Sequence, residues 1–178
     1  MIKVAKALEV VFQGMTIPFT ENEVTRDLSV QFHYGDNSEL IMWIKERGTL
    51  QKYPLIWYVL DKCTELNGVV DVNCRLVIMA HTKYNEMNNW RSVNTYPNII
   101  YPVNEKIKEY LALNPYVNVY SKTIKDKFIE KDEPKYGVKD NNNEQTKSDK
   151  SVPIDIVDAQ ILTFKMRIKA DCIINKNI

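Results

Sequence analysis

Between residues 2 and 15 the apolar positions recur at helical intervals. Ala5, Leu8, Phe12 and Met15 fall three or four apart with Val4 and Val11 beside them, while Lys3, Lys6, Glu9 and Gln13 fall mostly elsewhere. This spacing predicts an amphipathic helix. Residues 16–26, which include Pro18, read as a polar connection. Residues 28–34 alternate apolar and polar and predict a half-buried strand. Gly35-Asp36-Asn37-Ser38 supplies turn chemistry and a helix cap, so a short helix is expected over residues 39–47, stopping at Gly48. Residues 55–60 (LIWYVL) are continuously apolar, as in a strand covered on both faces. Residues 72–80 (VNCRLVIMA) read as its antiparallel neighbour, joined through Asn67-Gly68.

The second half is patterned less evenly. Residues 81–97 read as a long polar and aromatic loop, followed by a helical stripe of Ile99, Ile100, Val103, Ile107, Tyr110 and Leu111. Pro102 falls in the first turn of that helix, where its missing N–H costs little. Residues 116–129 read as an extended strand or hairpin arm. At Glu130 the apolar residues almost vanish, and residues 130–150 read as a flexible polar arm. Leu162, Phe164, Met166, Ile168, Ala170 and Cys172 then alternate with Thr163, Lys165, Arg167, Lys169 and Asp171, which predicts a long strand with one wet face. Adjacent strands without helical crossovers favour an α+β fold, with a mostly antiparallel sheet and two or three helices packed on one side.

Length adds that all 178 residues suit a single domain. The 24 basic and 23 acidic side chains nearly cancel, which argues against electrostatically driven or sequence-specific nucleic-acid binding. Three cysteines, Cys63, Cys74 and Cys172, are odd in number and widely spaced, as in a protein made in a reducing cytoplasm. No apolar run is long enough for a membrane span, so no membrane partner is expected.

Chemistry-bearing motifs are sparse. His33, His81 and the cysteines show no metal-ligand spacing, and none of the five glycines belongs to a phosphate-binding array. A Cys–His pair from Cys74 or Cys63 with His81 lacks any visible device for lowering a thiol pKa. Neither a catalytic residue, a cofactor site nor a metal site is therefore assigned. Two carboxylate groups could suit a divalent metal; Glu130, Asp132 and Glu133 lie in the polar arm, so Asp155 and Asp158 carry the alternative reading of a small metal-dependent nuclease or nucleic-acid-processing enzyme. The stretch "NNWRSVNTY" sets Trp90 beside Arg91, residue types favoured at interface hot spots. Trp90, Arg91, Tyr96 and Tyr136 are the expected subunit-contact residues.

Five phrases carry a resemblance: "HYGDNSEL", "KYPLIWYVLD", "LVIMA", "NNWRSVNTYPNIIYPVNEKIKEYL" and "IDIVDAQILTFKMRIKADC". Together they resemble small neck and tail structural proteins of tailed phages infecting Bacteroidetes-type hosts, similar in layout to tail-terminator, tail-completion and head–tail joining proteins. The resemblance spans residues 27–174 and rests on layout, not on a catalytic motif. It implies a non-enzymatic virion subunit assembled in the host cytoplasm. Such a subunit would form a homo-oligomeric ring and meet portal, adaptor or tail-tube proteins, with the polar arm reaching a neighbour.

One stretch near the start imitates an engineered site. "ALEVVFQGM", residues 7–15, approximates a viral 3C-protease recognition sequence. Leu8, Phe12 and Met15 nevertheless stay in phase with the helical stripe that begins at Ala5. The stretch is read as native, and as part of the first helix.

Overall fold

In the computed structural model the described residues are 1–21, 23–45, 52–82, 86–120, 127–136 and 157–175. The chain runs α1 (Ile2–Val11), β1 (Thr16–Glu21), β2 (Val24–Ser29), β3 (Gln31–Gly35), α2 (Asn37–Lys45), β4 (Leu55–Val59), β5 (Cys63–Leu66) and β6 (Val69–His81). It continues through α3 (Asn88–Val93), a π-helical turn (Tyr96–Ile100), α4 (Tyr101–Leu113), β7 (Val117–Tyr120), β8 (Phe128–Tyr136), β9 (Val157–Ile168) and α5 (Ala170–Asn175). This is an α+β fold around a seven-stranded, mostly antiparallel sheet.

Two long strands form the middle of that sheet. β6 and β9 pair antiparallel from Val70↔Ile168 to His81↔Val157. β4 and β5 share the outer edge of β6, while β7 and β8 share the outer edge of β9. β3 adds to β4 in parallel. Because successive strand residues point to opposite faces, the sequence alternation sorts these strands into two layers. Val70, Val72, Cys74, Leu76 and Ile78 of β6 and Leu162, Phe164, Met166 and Ile168 of β9 face α1, α4 and α5. Val77, Met79, Val157 and Ala159 face the other way, onto Leu40 and Ile44 of α2. Helices therefore lie on both faces, not on one. The apolar run of β4 follows from this double cover, since all five residues are buried.

Local chemistry sets the element ends. Asp36 Oδ1 accepts the N–H groups of Ser38 (2.7 Å) and Glu39 (2.8 Å), and Glu39 Oε2 accepts that of Asp36 (2.7 Å). This reciprocal capping box starts α2. α1 and the turn after it belong to the core: Leu8, Phe12 and Met15 are almost wholly buried. Beyond the cover of α2 the second face of the sheet is wet, with Arg167 forked onto its cross-strand partner Asp71 at 2.8 and 3.0 Å. Those hydrogen bonds hold the Asp71 carboxyl below its ordinary range.

Several stretches differ from their sequence reading, among them residues 88–93, expected to be loop and folded as α3. Residues 16–29, expected to be partly a polar connection, form the β1–β2 hairpin, a two-stranded sheet of its own. Residues 130–136, expected to be the start of a flexible arm, continue β8 and pair with β9; residues 137–150 lie outside the described residues. The last strand ends at Ile168, and Ala170 and Cys172 belong to α5.

Candidate functional site

Two regions combine surface access with organised chemistry. The first is α3 and the π turn after it. α3 has six residues and no side-chain cap, so packing must hold it in place. The anchor is an ion pair: Arg91 Nε lies 2.9 Å from Asp158 Oδ1, with the two side chains 1% and 0% exposed. Asp158 Oδ1 also accepts the backbone N–H of Lys135 at 3.1 Å, at a bulge where Lys135 takes φ 53°. One carboxylate thus ties α3, β8 and β9 together.

Polar contacts extend around this pair. Gln160 Nε2 donates to Asp132 Oδ1 (2.9 Å), and Tyr101 O–H donates to Asp132 Oδ2 (2.9 Å). The Tyr96 hydroxyl donates to the Ala159 carbonyl at 3.2 Å. Burial, then the Asp158 and Asp132 carboxylates, push the Tyr96 phenol well above its ordinary pKa, so it stays a donor. On its outer side α3 exposes Met87, Trp90 and Val93 by 73%, 44% and 66% on successive turns, among exposed Asn88, Asn89 and Ser92. Anchored charge inside and apolar knobs outside give a short helix that presents a fixed contact patch.

The four expected contact residues are not brought together. Trp90 is at the surface, as a contact residue needs to be. Arg91 and Tyr96 face the chain's own interior, Arg91 on Asp158 and Tyr96 on the backbone of β9. Tyr136 is half-buried against the α2-side core beside Val157. Val157 and Asp158 are adjacent on β9 and point oppositely, so Tyr136 and Arg91 belong to opposite faces of the sheet.

The residues considered for catalysis are also dispersed. Cys74 is fully buried, and burial raises its thiol pKa well above the ordinary value. His81 is exposed near the Tyr53 ring (centroids 6.1 Å apart), and His33 is half-buried against Trp43 (4.3 Å). Asp155 lies outside the described residues. Among the described residues no group of three or more His, Cys, Asp or Glu side chains is placed to hold a metal ion.

The second region went unrecognised in the sequence. A cleft of about 760 Å³ opens between the β1–β2 hairpin and the ends of β4 and β6. Arg26, Asp27, Leu28 and Ser29 of β2 line it with Phe19 and Gln31. Tyr53, Pro54, Ala80, His81 and Ile99 complete the wall. The alternation of residues 16–29 was the available signal, and Pro18 obscured it.

No family model, curated protein or solved structure matches the chain. Its function must be argued from these two surfaces and from the sequence resemblance.

Proposed function

We propose that this chain is a structural subunit of a tailed-phage neck or tail. In this reading it forms a homomeric ring in the virion and meets portal, adaptor or tail-tube proteins, without enzymatic activity. The observation that carries the reading is the patch of Met87, Trp90 and Val93 on α3, held outward by the buried Arg91–Asp158 pair. Exposed aromatic and thioether side chains on a rigid element are what an association hot spot requires. A ring repeats one heterologous contact by rotation, so each subunit needs two different complementary surfaces. The α3 patch supplies one; near-zero net charge lets many copies crowd together.

The nuclease alternative is less well supported. Asp158, one of its two carboxylates, is wholly buried and already engaged by Arg91 and by the Lys135 N–H.

Solution mass measurement with negative-stain imaging of the purified chain tests the proposal. The expected outcome is a closed oligomer that Trp90→Ala disperses into folded monomers. A chain that stays monomeric at high concentration, and associates with no virion protein, refutes it. Divalent-dependent nuclease activity lost on replacing Asp155 and Asp158 favours the alternative.

A further inference from the structure

The β5–β6 hairpin closes on the chain's only Asn-Gly pair, Asn67–Gly68. Leu66 is the partner of Val69, so these two residues alone form the loop. Both take positive φ, 52° and 73°, which defines a type I′ turn. Both are exposed, and a Cβ built on Gly68 would meet nothing within 4 Å. The space around Gly68 is therefore open, with no side chain to shield its nitrogen. β5 is four residues long, and among the described residues it pairs with β6 alone.

An Asn-Gly pair can react with itself. The Gly68 nitrogen attacks Asn67 Cγ; the new C–N bond closes a succinimide, the Cγ–Nδ2 bond breaks, and the side-chain nitrogen leaves as ammonia with the proton from Gly68. Water then opens the ring at either carbonyl, giving aspartate or isoaspartate, with no oxidant or cofactor. Ring closure needs the Gly68 nitrogen and the Asn67 Cβ on the same side of the Cα–C bond. The turn forbids this. In the left-handed region ψ is roughly +30 to +60°, and an L residue then holds the following nitrogen nearly opposite its own Cβ. Only opening of the hairpin end removes the block. Leu66 and Val69 close the loop as a bonded pair, so the next bonded pair is Thr64 with Asp71. Releasing those two pairs frees Asn67 while β6 stays paired with β9.

We propose that Asn67–Gly68 is a modification site gated by its own hairpin: unreactive while the turn is closed, and converted to aspartate and isoaspartate when the end of β5 frays. A short outer strand whose side chains are mostly exposed opens far more often than the core unfolds. Fraying is reversible, but the conversion is one-way. Isoaspartate routes the main chain through the former side chain and adds a methylene, so the tight loop no longer joins Leu66 to Val69. Either product also adds a carboxylate to a strand end that already carries Glu65. The end of β5 is then left open. This inference does not depend on the ring reading.

The test ages the full chain in mildly alkaline buffer, native and unfolded in urea, and follows Asn67 by peptide mapping that separates the asparagine, aspartate and isoaspartate forms. The native chain should convert more slowly than the unfolded one by roughly tenfold or more. Thr64→Pro removes the N–H that bonds to Asp71 and should bring the native rate towards the unfolded one. Thr64→Val keeps that N–H and should leave the native rate unchanged. Circular dichroism and tryptophan fluorescence confirm that both variants keep the folded core. Equal rates in the native and unfolded chains overturn the proposal, because the turn then blocks nothing. A folded Thr64→Pro that converts no faster than the parent overturns it too, because opening of the hairpin end is then not the gate.

Discussion

Replacing Arg91 by Met tests whether the buried ion pair anchors α3. Methionine keeps much of the apolar stem but removes the guanidinium 2.9 Å from Asp158 Oδ1. The carboxylate is then left fully buried, with the Lys135 N–H still donating to Oδ1. Stranding one member of a buried pair costs about 3–5 kcal/mol. At ~2–4 °C per kcal/mol for a domain of this size, Tm should fall by roughly 6–20 °C. Asp158→Asn strands the opposite charge while its amide oxygen still accepts from Lys135, and a loss of similar size is expected. The double variant removes both charges and should lie within ~1 kcal/mol of the parent, giving a coupling of several kcal/mol. Urea denaturation of all four proteins measures the cycle. Single losses below ~1 kcal/mol that simply add would refute the reasoning.

Three further outcomes follow from particular side chains. Thiol alkylation of the native protein should modify exposed Cys172 fastest and spare Cys74, whose burial raises its pKa; mass mapping should find Cys74 labelled only after unfolding. Burial lowers the pKa of His33 from 6.5, partly opposed by Glu9. The unfolded chain therefore binds the proton more readily, so stability is full above 6.5 and falls as pH drops below it. Urea midpoints at about pH 7.5 and about pH 5.5 should show this loss, and His33→Phe should reduce it. A Cβ on Gly35 would come within 2.7 Å of Trp57 Cζ2 and 3.1 Å of Glu39 Cβ. Gly35→Ala should therefore cost ~1–3 kcal/mol by overpacking, measured by the same denaturation.

Legibility in the sequence tracked how each element earns its burial. α1, β4, β6 and β9 bury apolar side chains in fixed periods, so their patterns are readable in the sequence. β8 was not, because its half of the bargain is main-chain pairing with β9, while Glu130, Lys131, Asp132 and Glu133 look like a solvated run. Charge on an outer strand is compatible with pairing and discourages edge-to-edge association. α3 was hidden for another reason. Asn-rich and uncapped, it depends on Arg91 meeting Asp158 from a distant strand, a contact no local window contains. Trp90 could be picked out by residue type, but the inward turn of its neighbour Arg91 could not. The cleft was hidden because Pro18 obscured the alternation in residues 16–29 that builds its hairpin wall.

The position of β9 has a consequence for how the chain is made. The strand at the middle of the sheet is also the last of the described strands in chain order, and β6, β7 and β8 all wait for it as their common partner. Until residues 157–168 leave the ribosome, the inner edge of β6 and the edges of β7 and β8 that pair with β9 stay open. Closure of the sheet is therefore expected to be slow, governed by contacts between remote parts of the chain. Nascent chains stalled before β9 would be held by chaperones or lost to aggregation.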